Sequence, residues 1–406
     1  MIYLDYHATT PLAPEALEAM LPLMQELYAN AGSTTHAAGR QVAELIERAT
    51  VELAGLLGAA DDELVFTSGA TESNNLALFG TCLHPRQKRR KIVSVATEHK
   101  AVLDPLLRLE RQGFEVVYVP VAQFDSLQPG VVDLGQLAEV VDEQTALVTI
   151  MLANNEIGTI QPLRAIADQC HRVGALLHTD ATQALGRIPV DVDLLDVDLM
   201  SFSAHKFYGP KGVGGLYVRR KTRRVKLQPQ IVGGGQQHNY RSGTINTAGI
   251  IGMHAALLGC YRLNAWSDGA ESVGVVEWRR VAGLRQRLYD RLIQREPSLS
   301  LNGPGWPSEF GEAGELTRLP GNLNCCFYPI EGQSLMMDVP ELAVSSGSAC
   351  TSAEPGTSHV LRAIGLTEEQ ARSSLRFGIG RFNTEQDIEL AADWLLASLE
   401  KLRRLI

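Results

Sequence analysis

Short apolar runs alternate with stretches of helical spacing through the middle of the chain. Leu64–Thr67, Lys91–Thr97, Glu115–Pro120, Ala146–Ala153, Ala175–Thr179, Asp198–Ser203 and Gly214–Arg219 read as strands. Lys100–Gln112, Leu134–Val141 and Leu163–Val173 read as helices, and SGATESNN turns the first strand into another. This alternation predicts a mostly parallel, seven-stranded sheet with helices on both faces. Ahead of it, Glu15–Tyr28 is an amphipathic helix with Leu17, Met20, Leu21, Met24 and Leu27 on one side. Gln41–Leu57 is a second helix.

The texture changes after Leu258. A long arginine-rich helix, Glu277–Ile293, leads to a Gly/Pro-rich stretch, Asn302–Gly321. Three short strands follow, Leu323–Phe327, Leu342–Ser345 and Ser374–Gly378, and then a terminal helix, Glu385–Leu405. The pattern predicts an α/β protein of two domains. The large one spans 15–258; a smaller α+β domain takes 259–406 and the extended lead 1–14.

The totals narrow the function. The chain has 406 residues and a formal charge of -9, which disfavours a general nucleic-acid binder. Two basic clusters, Arg86–Lys91 and Arg219–Lys226, read as solvated loops, with docking of an acidic partner or an RNA as the alternative. No apolar run reaches the roughly 18 residues of a membrane span. The opening MIYLDYHATTP carries Asp5 early and lacks the apolar core of a secretory leader. The six cysteines are scattered with no CxxC pair, so a cytoplasmic protein without disulfides or a preformed zinc site is expected.

The candidate chemistry lies at strand ends, where open α/β sheets collect ligands. LMSFSAHKFYGPKG, Leu199–Gly212, runs from a buried strand to Lys206. A desolvated lysine there can form a Schiff base. Lys211, in a Gly/Pro loop, is the poorer candidate. Asp180 ends the preceding strand. An acid at the base of a crevice and a lysine at its mouth are the two groups that pyridoxal phosphate requires, against the bland reading of an unrelated buried acid and a paired lysine. Ser68-Gly69-Ala70-Thr71 can cradle a phosphate at a helix N-terminus. His99 opens a helix, as a cap, a packing residue or a ligand. Cys350, in SSGSACTSAEPG, has none of the apolar neighbours of a structural cysteine and reads as a displayed thiol. Cys325 and Cys326, in LNCCFY, read as packing. Arg376 is the candidate grip for a substrate carboxylate, with Arg381 close enough to compete.

Together these residues resemble the cysteine desulfurases of the class V aminotransferase-like family, fold type I of the pyridoxal-phosphate enzymes. The likeness runs nearly end to end: YLDYHATTP, VFTSGATESNN, TEHKAV, NNEIG, HTDATQ, SFSAHKFYGPKG, RSGT, SSGSACTS and SSLRFGIGRF. The resemblance implies Lys206 as the Schiff-base lysine, His99 stacked on the cofactor ring, Asp180 on its nitrogen and Gln183 on its hydroxyl. It implies Ala70, Thr71, Ser203 and His205 at the phosphate, joined by Thr244 from a second subunit of a homodimer. Asn155, beside the cofactor, and Arg376 would hold the substrate carboxylate, with Asn30 assisting. NAGSTTH departs there from the family's Asn-Pro-x-Ser-x-His.

The implied reaction turns L-cysteine into L-alanine and leaves a persulfide on Cys350, with Lys206 and His99 as acid–base groups. The sulfur then passes to an acceptor such as an iron–sulfur scaffold protein. No resident metal is required, although Cys350 could ligate a transferred cluster. A selenocysteine lyase on the same scaffold, or a non-catalytic assembly platform, are the alternatives.

Overall fold

The computed structural model describes residues 1–264, 276–305, 316–346 and 357–405. The larger part opens with β1 (Ile2–Tyr3), α1 (Pro14–Gln25) and α2 (Ala37–Leu56). It continues with β2 (Leu64–Thr67), α3 (Ala70–Cys82), β3 (Lys91–Val95), α4 (Lys100–Glu110), β4 (Glu115–Val119), α5 (Leu134–Val140), β5 (Thr145–Thr149) and α6 (Leu163–Arg172). Then come β6 (Leu176–Asp180), α7 (Val192–Leu195), β7 (Leu199–Ser203), β8 (Gly214–Val218) and α8 (Thr247–Leu263). The remainder holds α9 (Glu277–Arg295), β9 (Ser300–Leu301), β10 (Asn322–Cys326), α10 (Gly332–Asp338), β11 (Leu342–Ala343) and β12 (Ser345–Ser346). It ends with α11 (His359–Ala363), α12 (Glu368–Arg372), β13 (Ser374–Gly378) and α13 (Glu385–Arg403).

The main sheet has seven strands in the order β2-β8-β7-β6-β5-β3-β4. Only β8 runs against its neighbours, pairing antiparallel with β2 and β7. The chain enters at one edge, crosses to β3 and β4, then returns through β5, β6 and β7. The carboxyl ends of β2, β3, β5, β6 and β7 therefore open on one side of the sheet, where ligands collect. The central strands are buried on both faces, as helix-covered parallel strands must be: Leu199, Met200 and Phe202 of β7 are fully enclosed. Close approach needs glycine at one point, since a Cβ on Gly215 would lie 2.3 Å from the Phe202 ring.

A second apolar core joins Leu284, Leu288 and Leu292 of α9 to Leu323, Leu375 and Phe377 of the strands and Leu395 and Leu399 of α13. Its sheet runs β12-β13-β10-β9, all antiparallel. The N-terminal lead bridges the two cores. Ile2 and Leu4 belong to the second, β1 pairs with β11, and Tyr6 and Ala13 belong to the first.

Two patterns differ from the sequence reading, the second only in part. In α1 it is Ala16 and Leu23 that are buried, while Leu17, Leu21 and Met24 are exposed. Most of the stripe read as a core face points outward, while Met20 is half-buried against Gly252 of α8 and Leu27 packs on the main core. Each basic cluster is spent only in part inside the chain, with Arg86, Lys88, Lys221, Arg224 and Lys226 exposed as expected of solvated loops. Arg219 binds Asp193, Arg223 binds Asp196 and Asp198, Arg220 binds Asp62, and Lys91 binds Asp142. Arg90 lies over the Phe114 ring. No helix among the described residues is long and apolar enough to cross a membrane.

Candidate active site

A cavity of about 490 Å³ opens at the carboxyl ends of the strands. Ala70, Thr71, His99, Asn155, Asp180, Gln183, Ser203, His205 and Lys206 all line it. Asp180 is the last residue of β6. Its Oδ2 accepts from Asn74 Nδ2 at 2.7 Å and its Oδ1 from the Thr182 amide at 2.9 Å. Each oxygen keeps a further lone pair for a ligand donor.

Lys206 follows β7 by one short turn. Its ammonium donates to the carbonyls of His7 and Ala8, both at 2.7 Å. That pins the lysine to the N-terminal lead, which is itself stitched down: Thr10 donates to the His205 carbonyl and accepts from the Tyr208 amide. Lys211 also lines the cavity, from an exposed loop.

Three neutral imidazoles surround this pair. His99 caps α4, its Nδ1 accepting from the Ala101 amide at 3.0 Å, so Nε2 carries the proton. Burial holds its pKa below the ordinary value, Lys206 and His359 add to that, and Asp180 opposes it. His205 is pushed down to about 4 by burial and by Lys206. His7 lies well below 6.5 through burial and the nearby Arg187. Beneath His99, the fully buried Glu98 carboxyl is raised well above its usual range by burial and by Asp180, and it accepts from the Met151 amide.

The first turn of α3 offers backbone N–H groups that the helix leaves unpaired. Gly69 caps it at φ +148, a conformation that favours glycine. A Cβ there would stand 3.4 Å from Ser203 Oγ and intrude on the cradle. Glu72, also lining the cavity, accepts from the Ser68 amide at 2.8 Å and from Arg241 Nε at 2.9 Å.

The whole chain has known relatives. A cysteine desulfurase IscS from Anaeromyxobacter dehalogenans (strain 2CP-C) is 45% identical over 404 residues, covering 100% of this chain and 94% of that protein. A probable mitochondrial cysteine desulfurase from Dictyostelium discoideum is 42% identical, covering 99% of this chain and 84% of that one. Among solved structures, a NifS-like protein superposes with a TM-score of 0.84 at 33% identity over 100% of both chains. SspA in complex with cysteine superposes at 0.75 with 32% identity, over 95% of this chain and 100% of that one. The class-V aminotransferase family model matches residues 2–295. The chain belongs to the class-V aminotransferase family. Within it, the chain sits among the cysteine desulfurases.

Three residues named from this family's pattern stand outside the cavity lining. Arg376 is buried behind the cavity wall. Its Nη1 donates to the Asn155 carbonyl at 3.1 Å, its Nη2 pairs with Asp5 at 2.8 Å, and its Nε has no partner among the described residues. Arg381, its competitor, binds Glu15 away from the cavity. Asn30 is exposed and its side chain turns back to the Gly32 amide at 2.9 Å. Thr244 is exposed, outside the cavity lining. Cys350 lies outside the described residues. The five described cysteines are all free and buried, Cys325 and Cys326 among them as packing.

The sequence reading of this aminotransferase-family site missed Asn74, Glu72, His7 and Arg187. Asn74 and Glu72 were legible in principle, one turn into the helix that SGATESNN begins. His7 and Arg187 carried no such signal, because their partners lie far along the chain.

Proposed function

We propose that this chain takes sulfur from L-cysteine and releases L-alanine, with pyridoxal 5'-phosphate as its cofactor. The observation that carries the reading is the pairing of Lys206 and Asp180 across one cavity. The residues fit the cofactor on three counts. Asp180 keeps free lone pairs for a protonated ring nitrogen, the N-terminus of α3, capped by Gly69 at φ +148, is an anion cradle, and the lysine ammonium is anchored at the cavity by the His7 and Ala8 carbonyls. When bound, pyridoxal phosphate supplies an electron sink for the substrate's carbon framework.

The protein's own residues do the rest. Lys206 would hold the cofactor aldehyde, His99 would stack on the ring and Gln183 would meet its hydroxyl, while the amides at Ala70 and Thr71, with Ser203 and His205, would take the phosphate. Asn155 would hold the substrate carboxylate from the cavity lining, and Arg376 would act from behind that wall, where its unspent Nε is a buried donor of the kind a carboxylate satisfies. Lys206 and the neutral His99 move protons at the substrate's Cα and Cβ. The Cys350 thiolate then takes the sulfur. The carbon–sulfur bond breaks, its electron pair stays on carbon and gains a proton to complete alanine, and a sulfur–sulfur bond forms at Cys350. The persulfide passes to an acceptor protein such as an iron–sulfur scaffold.

A homodimer fits this reading. The exposed stripe Leu17, Leu21 and Met24 is an apolar patch of the sort that marks an interface. Thr244 lies on an exposed loop that the Arg241–Glu72 pair ties down, and in a homodimer it would serve the second copy's site. The free cysteines suit a reducing cytoplasm.

The test is alanine and sulfide release from L-cysteine by the protein loaded with pyridoxal phosphate. Lys206→Ala abolishes both and removes the cofactor's visible absorbance. Alanine release by that variant at the wild-type rate would overturn the assignment.

A further inference from the structure

Arg187 stands behind the cavity and touches four groups at once. Its Nη1 is 2.7 Å from Gln183 Oε1 and 2.5 Å from His7 Nδ1; its Nη2 is 2.6 Å from the Tyr6 carbonyl and 3.2 Å from the Lys206 carbonyl. A guanidinium only donates, so the Gln183 atom facing Arg187 is its oxygen. His7 Nδ1 faces both Arg187 Nη1 and, at 2.9 Å, that oxygen, and it can accept from the first or donate to the second but not both. The other end of the amide agrees: Gln183 Nε2 lies 3.0 Å from the His7 carbonyl, which only accepts. That same carbonyl, with Ala8's, receives the Lys206 ammonium.

The consequence concerns what is left over. Gln183 and His7 both line the cavity. The Gln183 oxygen is enclosed by Arg187 and by the His7 ring at 2.9 Å, which leaves one Nε2–H to offer. His7 Nε2, in a ring 2% exposed, has no hydrogen-bond partner among the described residues. The uncommitted group of Gln183 is a donor.

We propose that Arg187 is a positioning residue that commits Gln183 to donate into the cavity, so that the oxygen it faces is held as an anion. This rests on the cofactor reading, in which that oxygen is the ring hydroxyl. The charged groups around His7 are Arg187, Arg376 and Lys206, all cationic, while Asp180 lies on the cavity floor. Losing Arg187 removes one positive charge and frees the Gln183 amide to turn its oxygen inward. Both effects favour the protonated form, so the bound cofactor gives up its proton at higher pH.

The experiment is a pH titration of the visible absorbance of the protein loaded with pyridoxal phosphate. Arg187→Met raises the midpoint by about one pH unit, roughly tenfold in the proton equilibrium. Arg187→Gln, which keeps a polar stem, carries the same expectation should the first variant fail to fold. In a Gln183→Met background the Arg187 replacement adds less than half of its single-variant shift, since the two residues act as one unit. A folded, coloured Arg187 variant with the wild-type midpoint overturns the proposal. So does full additivity with Gln183→Met, which would reduce Arg187 to a distant charge. A wild-type protein that shows no visible band with the cofactor overturns the cofactor reading and this proposal together, whereas an unmoved midpoint in a coloured protein overturns this proposal alone.

Discussion

Asp5 and Arg376 form a buried ion pair. Arg376 exposes 2% of its side chain and Asp5 16%, and Nη2 meets Oδ1 at 2.8 Å. Its other hydrogen bond goes to the neutral Asn155 carbonyl, and the buried Glu156 carboxyl is close enough to feel its charge. Asp5→Ala leaves a buried cation without its counter-charge, at a cost of about 3–5 kcal/mol. Asp5→Asn keeps an acceptor and loses only the charge assistance, about 1.5–3 kcal/mol. The backbone bridge from Asp5 to Gly378 survives either change, so the loss belongs to the side chain. The contrast is Glu385, whose pair with Arg287 is 73% and 49% exposed. Glu385→Ala costs less than about 1 kcal/mol. Urea unfolding followed by circular dichroism reads all three, since a domain's whole stability is only about 5–15 kcal/mol. If Asp5→Ala and Glu385→Ala unfold at the same urea concentration with unchanged slopes, the buried-pair reasoning is wrong.

Other consequences follow from the same site. His7, His178 and His205 are all held neutral by burial, with folded pKa values below 6.5. Unfolding exposes rings that bind protons more readily, so stability falls as pH drops below about 6.5, at up to about 1.4 kcal/mol per pH unit for each ring. Urea midpoints that stay level between neutral pH and pH values near 5 would contradict this. Gly69→Ala strains a residue at φ +148 and adds a methyl group 3.4 Å from Ser203 Oγ. Cofactor affinity drops by about tenfold or more, a strain of about 1–3 kcal/mol, read by fluorescence titration. Ser358 both caps α11 through the Leu361 amide and bonds the buried Glu156 carboxyl. Ser358→Ala costs about 2 kcal/mol, visible as a lower melting temperature, and a smaller loss than an ordinary cap removal would rule out a role for the Glu156 contact.

The sheet was readable because its strands obey a local rule. Each is a short apolar run bounded by turn residues, and the helices between them keep their own period. Lys206 and Asp180 were readable for a related reason: both sit where an apolar strand ends in a polar residue, and strand ends in such a sheet face one side. What the chain hid depends on contacts across long separations. Asp5 meets Arg376 across 371 positions and Arg187 meets His7 across 180, and neither pair leaves a mark in local spacing. Helix α1 misled for a different reason. Its larger apolar residues form the more conspicuous stripe, yet the helix packs on α8 with Ala16 and Leu23 buried, and Leu17, Leu21 and Met24 turn outward. Periodicity reports that a face is apolar; it does not say what covers it.

Mass spectrometry of the cofactor-loaded protein after incubation with L-cysteine tests the central claim most directly. One added sulfur atom on the peptide carrying Cys350, formed with one equivalent of alanine and absent from Lys206→Ala, is the predicted result. Alanine released with no sulfur retained at Cys350, or sulfur gained there by the Lys206 variant, would contradict it.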